Sequence, residues 1–173
     1  MGKLDRWRAG YGRVLEWLVI VLMVALAAVV SLGILFRTLG HSLVWYDEVA
    51  SILLAWLTFY GSALAALKRA HIGFPGLINA LKPAVRVPAV LLGEVLIFAF
   101  FALFGWIGFT ILEILATDHL ISLPAISVAW TQSVVPISAV LILIAQALNF
   151  PVVLAEARQG GAAKTSDLAE MTH

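Results

Sequence analysis

Four apolar stretches, each long enough to cross a membrane, constrain this chain more than any other feature. Three of them, residues 17–36, 49–67 and 130–154, carry no charge, and the remaining one, 87–115, has Glu94 and Glu113 near its ends. About 20 helical residues cross the ~30 Å hydrocarbon core of a bilayer. Because lipid offers no hydrogen-bond partner to the backbone, spans must be helices or closed barrels, and continuous apolar runs favour helices. The sequence predicts an all-α membrane protein with a transmembrane domain over 14–155, its helices at about 14–37, 48–68, 88–115 and 130–154.

Composition excludes several other classes of protein. Hydrophobic residues make up 62% of the 173-residue chain and charged residues 12%, about half the charged share of a soluble domain. A net charge of +1 gives no electrostatic support to nucleic-acid binding. The chain has no cysteine, and no phosphate-binding glycine loop, nucleophile elbow or HExxH motif occurs. We therefore expect no enzyme activity, no cofactor, no metal site and no nucleic-acid partner.

The distribution of basic residues predicts the orientation. Ten of the eleven Lys and Arg residues lie in the N-terminal segment, in the 68–86 loop or after residue 154. Of the two remaining loops, 37–48 has Arg37 alone and 113–129 has none. Since Lys and Arg accumulate in cytoplasmic loops, both termini are predicted to be cytoplasmic.

The ends of the chain and the basic loop differ from the spans. Residues 1–13 and 75–88 place apolar residues at helical spacing among basic ones, which predicts short amphipathic segments lying among lipid headgroups, with plain basic loops as the alternative. A cleaved signal peptide is disfavoured, because the first apolar run continues to Phe36. Residues 156–173 are small and polar and are predicted to be a disordered cytoplasmic tail.

The second span has two different faces. Residues placed 100° apart put bulky side chains, among them Trp56 and Tyr60, on one side of the helix. The opposite side is small or weakly polar, and small residues let helix backbones approach closely in lipid. We expect the small side to be a helix-packing or subunit interface and the bulky side to meet lipid or a larger partner. The interface residues are Ser51, Ala55, Thr58, Gly61, Ser62 and Ala65.

Charged residues flank this span at both ends. Asp47 and Glu48 open it, where a helix N-terminus favours carboxylates, and Arg37 is their expected counter-ion. Lys68, Arg69 and His71 follow it. These six residues are predicted to be structural charges, with partner contact as the second reading.

The middle of each span lacks transport chemistry. No ionisable residue lies near Ala27, Thr58, Phe104 or Ile142, although such residues mark proton and ion pathways in membranes. Glu94 is expected to pair with Arg86, Arg69 or Lys68. Deeply placed tryptophans, Trp56 and Trp106, are expected in helix contacts, and Pro136 and Pro151 are expected to kink the fourth span.

The residues resemble one family, the small membrane subunit of tripartite ATP-independent periplasmic (TRAP) transporters. The resemblance rests on four spans with both ends inside, on the acidic pair of the second span with Trp56, Gly61 and the basic-His71-Ile72 exit, and on Pro124, Trp130 and Pro136. Ser138 departs from the pattern, in which a glycine is expected. The similarity covers about residues 10–155.

The resemblance implies a division of labour in a bacterial inner membrane. A periplasmic protein binds an organic acid, and a large multi-span permease subunit carries it across together with sodium. This chain would be a multi-pass scaffold beside the permease. Its outer-loop residues Asp118 and His119 would then be candidates for contact with the binding protein. Two alternatives remain: an independent homo-oligomeric channel or exporter with Ser51, Thr58 and Ser62 around its axis, and a membrane anchor for a redox enzyme, which the loop positions of the histidines disfavour.

Overall fold

A computed structural model describes residues 3–70 and 82–159, and this part of the chain is helical apart from its loops. Four of its stretches are long and apolar enough to span a membrane, which confirms the predicted all-α class with four spans. No β-strand occurs in these residues, although His119 and Ser127 form an isolated antiparallel bridge. The helices are α1 Lys3–Thr38, α2 Tyr46–Leu67, α3 Pro83–Ile114 (followed by the 3₁₀ turn Leu115–Thr117), α4 Val128–Gln132 and α5 Val134–Gln159.

The basic N-terminal residues do not form an element of their own. Residues 3–13 are continuous with α1, whose 36 residues give a length of about 54 Å at 1.5 Å per residue. α3 likewise begins at Pro83, so residues 83–88 are its first turns. Pro83 occupies the first helical position. An N–H at that position would have no acceptor within the helix, so proline loses no hydrogen bond there. Residues 75–81 of the predicted second amphipathic segment lie outside the described chain.

The fourth span is interrupted near its start. α4 ends at Gln132 and α5 begins at Val134, with the Ser133 amide donating to the Trp130 carbonyl at 3.3 Å. Pro136 explains the break, because its nitrogen has no hydrogen to donate one turn back. Pro151, by contrast, lies inside α5 without interrupting it.

The helices lie in the order α1, α2, α5, α3, each packing mainly against the next. α1 and α2 are antiparallel: a Cβ on Gly33 would overlap the Tyr46 ring, and one on Gly12 would lie 3.3 Å from Leu67 Cδ2. α3 and α5 also approach closely, since a Cβ on Gly108 would lie 2.8 Å from Val135 Cγ1. The starts of α1 and α3 and the ends of α2 and α5 therefore share one end of the bundle. We call it the inner end, after the predicted orientation, and the opposite end the outer end.

Two small clusters of buried apolar residues form the core of the described part of the chain. Near the inner end, Leu15, Ala63, Leu67, Ile142 and Ala145 pack together, and nearer the outer end Leu22, Tyr60 and Val134 do so. Ser138, the departure from the family pattern, is fully buried and donates its hydroxyl to the Val135 carbonyl at 2.9 Å. Serine is accommodated there because its one polar group is satisfied within its own helix.

Candidate functional sites

The bulky side of α2 faces the interior of the bundle. Tyr60 and Leu67 are buried, and Trp56 and Leu53 pack against the cluster formed by Leu22, Tyr60 and Val134. The expectation that this side meets lipid or a larger partner was wrong. Its large side chains fill the space between α1, α2 and α5.

Trp56 joins α2 to the break in the fourth span. Its indole Nε1–H donates to the Thr131 carbonyl at 2.7 Å, and its ring lies 5.0 Å from the Trp130 ring and 6.3 Å from that of Tyr60. A carbonyl next to a helix break needs a donor in lipid, and the indole supplies it. Trp56 thus makes the helix contact that was expected of it, whereas Trp106 is 74% exposed.

Within residues 3–70 and 82–159, no helix packs against the small side of α2. Ser51, Ala55 and Thr58 are exposed, and Gly61, Ser62 and Ala65 are half-buried. A Cβ added to Gly61 would meet nothing within 4 Å. We call these six residues the small face.

The hydroxyls of the small face are already satisfied. Ser51, Thr58 and Ser62 each donate to the carbonyl four residues earlier in α2, all at 2.8 Å. Such bonds within one helix leave no unsatisfied donor on the surface. The face is therefore open, shallow and able to pack against apolar residues without loss of a hydrogen bond.

At the outer end, Glu48 fixes a loop and does not pair with Arg37. Its carboxylate accepts hydrogen bonds from the Ile121 amide at 3.2 Å, the Ser122 amide at 2.9 Å and the Ser122 hydroxyl. Neither Asp47 nor Glu48 caps α2, because the N-cap is Trp45 and both carboxylates lie in the first turn. Among the described residues, no ion pair involves Arg37, since Glu48 has a set of neutral donors instead.

The loop held by Glu48 is a compact hairpin. The Val128 amide donates to the Asp118 carbonyl at 2.9 Å and the Leu120 amide to the Ile126 carbonyl at 3.0 Å. Asp118 and His119, the predicted docking residues, are exposed on it, and Ile121 at its tip is 94% exposed. The structure thus places these three exposed residues in one hydrogen-bonded loop at the outer end.

At the inner end, the C-terminus of α2 is capped by other helices. Arg69 has a φ of 55°; its amide donates to the Ala66 carbonyl and the Ala70 amide donates to that of Ala65, the Schellman pattern that more often uses glycine. Asn149 from α5, only 2% exposed, donates its Nδ2 to the Ala66 and Leu67 carbonyls at 2.9 and 3.2 Å. The last carbonyls of a helix have no hydrogen-bond donor within that helix, and Asn149 on α5 supplies donors to two of them.

Two ion pairs link this end of α2 to its neighbours. Lys68 Nζ lies 2.6 Å from Glu16 Oε1 on α1, and Arg69 forms a bidentate pair with Glu156 on α5, both contacts at 2.7 Å. The Glu156 carboxylate raises the pKa of the Arg69 guanidinium above its ordinary value through these hydrogen bonds. Because the partners are half-exposed, each pair contributes about 0.2–1 kcal/mol. His71 lies outside the described residues.

Glu94 occupies the same end of the bundle. Arg69, one of its three expected partners, is close enough to act on it electrostatically. The pairing is nevertheless incomplete, since Glu94 Oε2 is buried without a hydrogen-bond partner among the described residues.

Several residues in these junctions were not singled out from the sequence. They are Glu16, Asn149 and Glu156, together with Tyr11, whose hydroxyl donates to the Leu141 carbonyl at 2.7 Å. Asn149 did carry a signal, because an amide in an otherwise apolar span must find a partner. Which carbonyls it would reach depended on the packing of α5 against α2.

Fold and contacts together define a multi-span helical membrane protein whose polar side chains hold helices and loops in place. No group of three or more His, Cys, Asp or Glu side chains that could bind a metal occurs in the described part. Residues 26–155 match the family described as tripartite ATP-independent periplasmic transporters, DctQ component. The chain belongs to this family and is a TRAP transporter small subunit, which confirms the resemblance noted above.

A curated relative supports the same assignment. The sialic acid TRAP transporter permease protein SiaT of Haemophilus influenzae (strain 86-028NP) is 28% identical over 140 residues. The matched region covers 78% of this chain and 23% of that protein, so the chain spans about a quarter of the length of its relative.

Proposed function

We propose that this chain is the scaffold subunit of an organic-acid importer, and that it docks on a large permease subunit through the small face of α2. The observation that carries the proposal is the open small face in a chain that belongs to the DctQ family. The transporter would work in a bacterial inner membrane with a periplasmic substrate-binding protein.

The relative supports the need for a larger partner. In SiaT the matched segment is 23% of one polypeptide, so most of that permease has no counterpart in this chain. The proposed large permease subunit would correspond to that remainder. This chain has no ionisable residue at mid-membrane with which to conduct transport itself.

The geometry of α2 favours the small face as the docking surface. Hydrophobicity gives helices no reason to associate in lipid, so close packing and satisfied polar groups decide where they meet. The small face offers both, because Gly61 leaves space for a partner backbone and its hydroxyls need no external acceptor. The opposite side of α2 is already occupied by α1 and α5.

The outer hairpin is proposed to contact the binding protein. Glu48 holds it by three hydrogen bonds, and an ordered surface loses less conformational entropy on docking than a free loop does. Asp118 and His119 would be the polar contacts. Arg37, Asp47, Lys68 and His71 keep their proposed roles as structural or partner-contact charges.

The relative and the family support a proposal for the substrate class. The name of SiaT gives sialic acid as its substrate, which is a carboxylated sugar. We propose a carboxylate as the substrate and sodium as the coupling ion, with recognition of both residing in the other subunits.

Co-purification with a large TRAP permease subunit expressed together with this chain tests the docking surface. Gly61→Leu should abolish recovery of the complex in mild detergent, because the added side chain fills the space that the partner backbone needs. Gly93→Leu on α3 is the matched control, since a Cβ on Gly93 also meets nothing within 4 Å. Loss of the complex with Gly93→Leu and not with Gly61→Leu would refute docking through α2.

Uptake in proteoliposomes tests the function. Carboxylate uptake should require this chain, the permease, the binding protein and an inward sodium gradient together. Uptake by the permease and binding protein at full rate without this chain would overturn the scaffold role.

A further inference from the structure

We propose that the cleft between the start of α1 and the end of α2 binds the headgroup of an anionic phospholipid. The cleft has a volume of about 430 Å³, within the usual range for ligand sites. Arg8, Arg13 and Lys68 supply its charge, Glu16 lies beside Lys68, and Gly12 and Leu67 form its floor.

The register of α1 and α2 places this cleft at the membrane boundary. α2 has 22 residues, about 33 Å, which matches the ~30 Å hydrocarbon core. Gly12 lies opposite Leu67 and Gly33 opposite Tyr46, so residues 12–33 of α1 cover the same thickness. The first turns of α1, residues 3–11, then project about 13 Å beyond the core, into the headgroup layer.

The charge of the cleft suits an anion. It contains three cations and one carboxylate, and Lys68 at 2.6 Å partly neutralises that carboxylate, Glu16. Arg8 donates one N–H to the Leu67 carbonyl at 3.3 Å, which leaves most of its five N–H donors available. Arg13 is exposed. Guanidinium groups bind phosphate oxygens with strong, charge-assisted hydrogen bonds.

The C-terminus of α2 lines the cleft, but it repels an anion less than a helix C-terminus with unbonded carbonyls would. The carbonyls at the end of a helix carry partial negative charge. Here Asn149 and Arg8 donate to the Leu67 carbonyl, and Asn149 and Arg69 donate to that of Ala66. These donors thereby offset the partial negative charge of the two carbonyls.

An apolar track leads from the cleft along α1. Trp17, Val21 and Val24 follow Arg13 by four, eight and eleven residues, which places all four on one helix face. Their exposed fractions are 63%, 58% and 59%. A phospholipid whose phosphate is bound at Arg13 would therefore place its acyl chains against this track. Free inorganic phosphate has no acyl chains to make that contact.

Native mass spectrometry of the full chain from nanodiscs tests the proposal. The discs contain equal amounts of phosphatidylglycerol and phosphatidylcholine, two lipids that differ in net charge. One phosphatidylglycerol should be retained per chain, and Arg13→Ala should lower its retention about tenfold through loss of a charge-assisted contact. Arg6→Ala is the matched control, since Arg6 lies on the same segment but outside the cleft. This variant should retain the lipid as the unmodified chain does.

A variant with the opposite sign separates binding from folding damage. Glu16→Gln removes the one carboxylate and releases Lys68, so it should increase phosphatidylglycerol retention. Equal loss with Arg6→Ala and Arg13→Ala, or retention unchanged in Glu16→Gln, would overturn the site. Displacement of the lipid by millimolar inorganic phosphate would show that the cleft takes a soluble phosphate and would overturn the lipid assignment.

Discussion

Replacing Asn149 by Leu tests whether the inner junction holds the bundle together. Leucine has the same side-chain branching as asparagine and no smaller volume, so the substitution removes the amide and leaves no cavity. The buried Nδ2 donates to two carbonyls at the end of α2, those of Ala66 and Leu67. Both carbonyls would then lose a donor inside the contact between α2 and α5.

The two hydrogen bonds set the size of the effect. One neutral hydrogen bond contributes about 0.5–1.5 kcal/mol net, and bonds between membrane helices average about 0.6 kcal/mol. The Ala66 carbonyl keeps the Arg69 amide, and the Leu67 carbonyl keeps Arg8 at 3.3 Å, so neither is left without a donor. We expect Asn149→Leu to lower the free energy of unfolding by about 1–2 kcal/mol.

Reversible unfolding of the purified chain in mixed micelles, followed by helical circular dichroism, measures this change. Ser138→Ala is the control, since Ser138 is equally buried on α5 but bonds only within its own helix. Its effect should stay within about 0.5 kcal/mol. Equal destabilisation by Asn149→Leu and Ser138→Ala would show that the hydrogen bonds from Asn149 to α2 do not stabilise the bundle.

Two further predictions concern the outer end and the break in the fourth span. Glu48→Gln should speed hydrogen exchange at the Ser122 amide, because a neutral amide is a weaker acceptor than a carboxylate, and Asp47→Asn should leave that exchange unchanged. Trp56→Phe keeps an aromatic ring but removes the indole donor. The free energy of unfolding in micelles should therefore fall by about 1 kcal/mol. Trp106→Phe, at an exposed ring, should have no such effect, and equal effects of the two would contradict a role for the indole bond.

The spans could be predicted because their cause is local. Each apolar run satisfies its own backbone as a helix, and no other part of the chain is needed for that. The exact starts of α1 and α3 could not be predicted in the same way. Continuation of a helix through residues 3–13 depends on how a basic segment partitions between water, headgroups and the neighbouring α2, which periodicity alone does not report.

The two faces of α2 show a different limit. Their separation into small and bulky sides could be read from 100° spacing, but their assignment to partners could not. Bulky residues are compatible with lipid and with a core equally well. Only the positions of α1 and α5 show that Trp56 and Tyr60 face inward and that Gly61 faces open space.

The same distinction applies to the polar groups. Glu48 was recognised as a charge at a helix start, yet its partners, the amides of Ile121 and Ser122, lie more than 70 residues away. Asn149 likewise reaches α2 across 82 and 83 residues. Nothing in local spacing encodes such pairings, because they follow from which helices become neighbours.

The sequence by itself determined that this protein is a four-span helical membrane component and which family it resembles. Both rest on properties of single segments, namely apolar length and short motifs. Tertiary structure alone decided the order α1, α2, α5, α3 and the hydrogen bonds made by Glu48 and Asn149 at the two ends of α2. Close contacts such as Gly108 with Val135 determine that order, because in lipid, where apolar surface is not a driving force, helices associate where their shapes and hydrogen bonds fit.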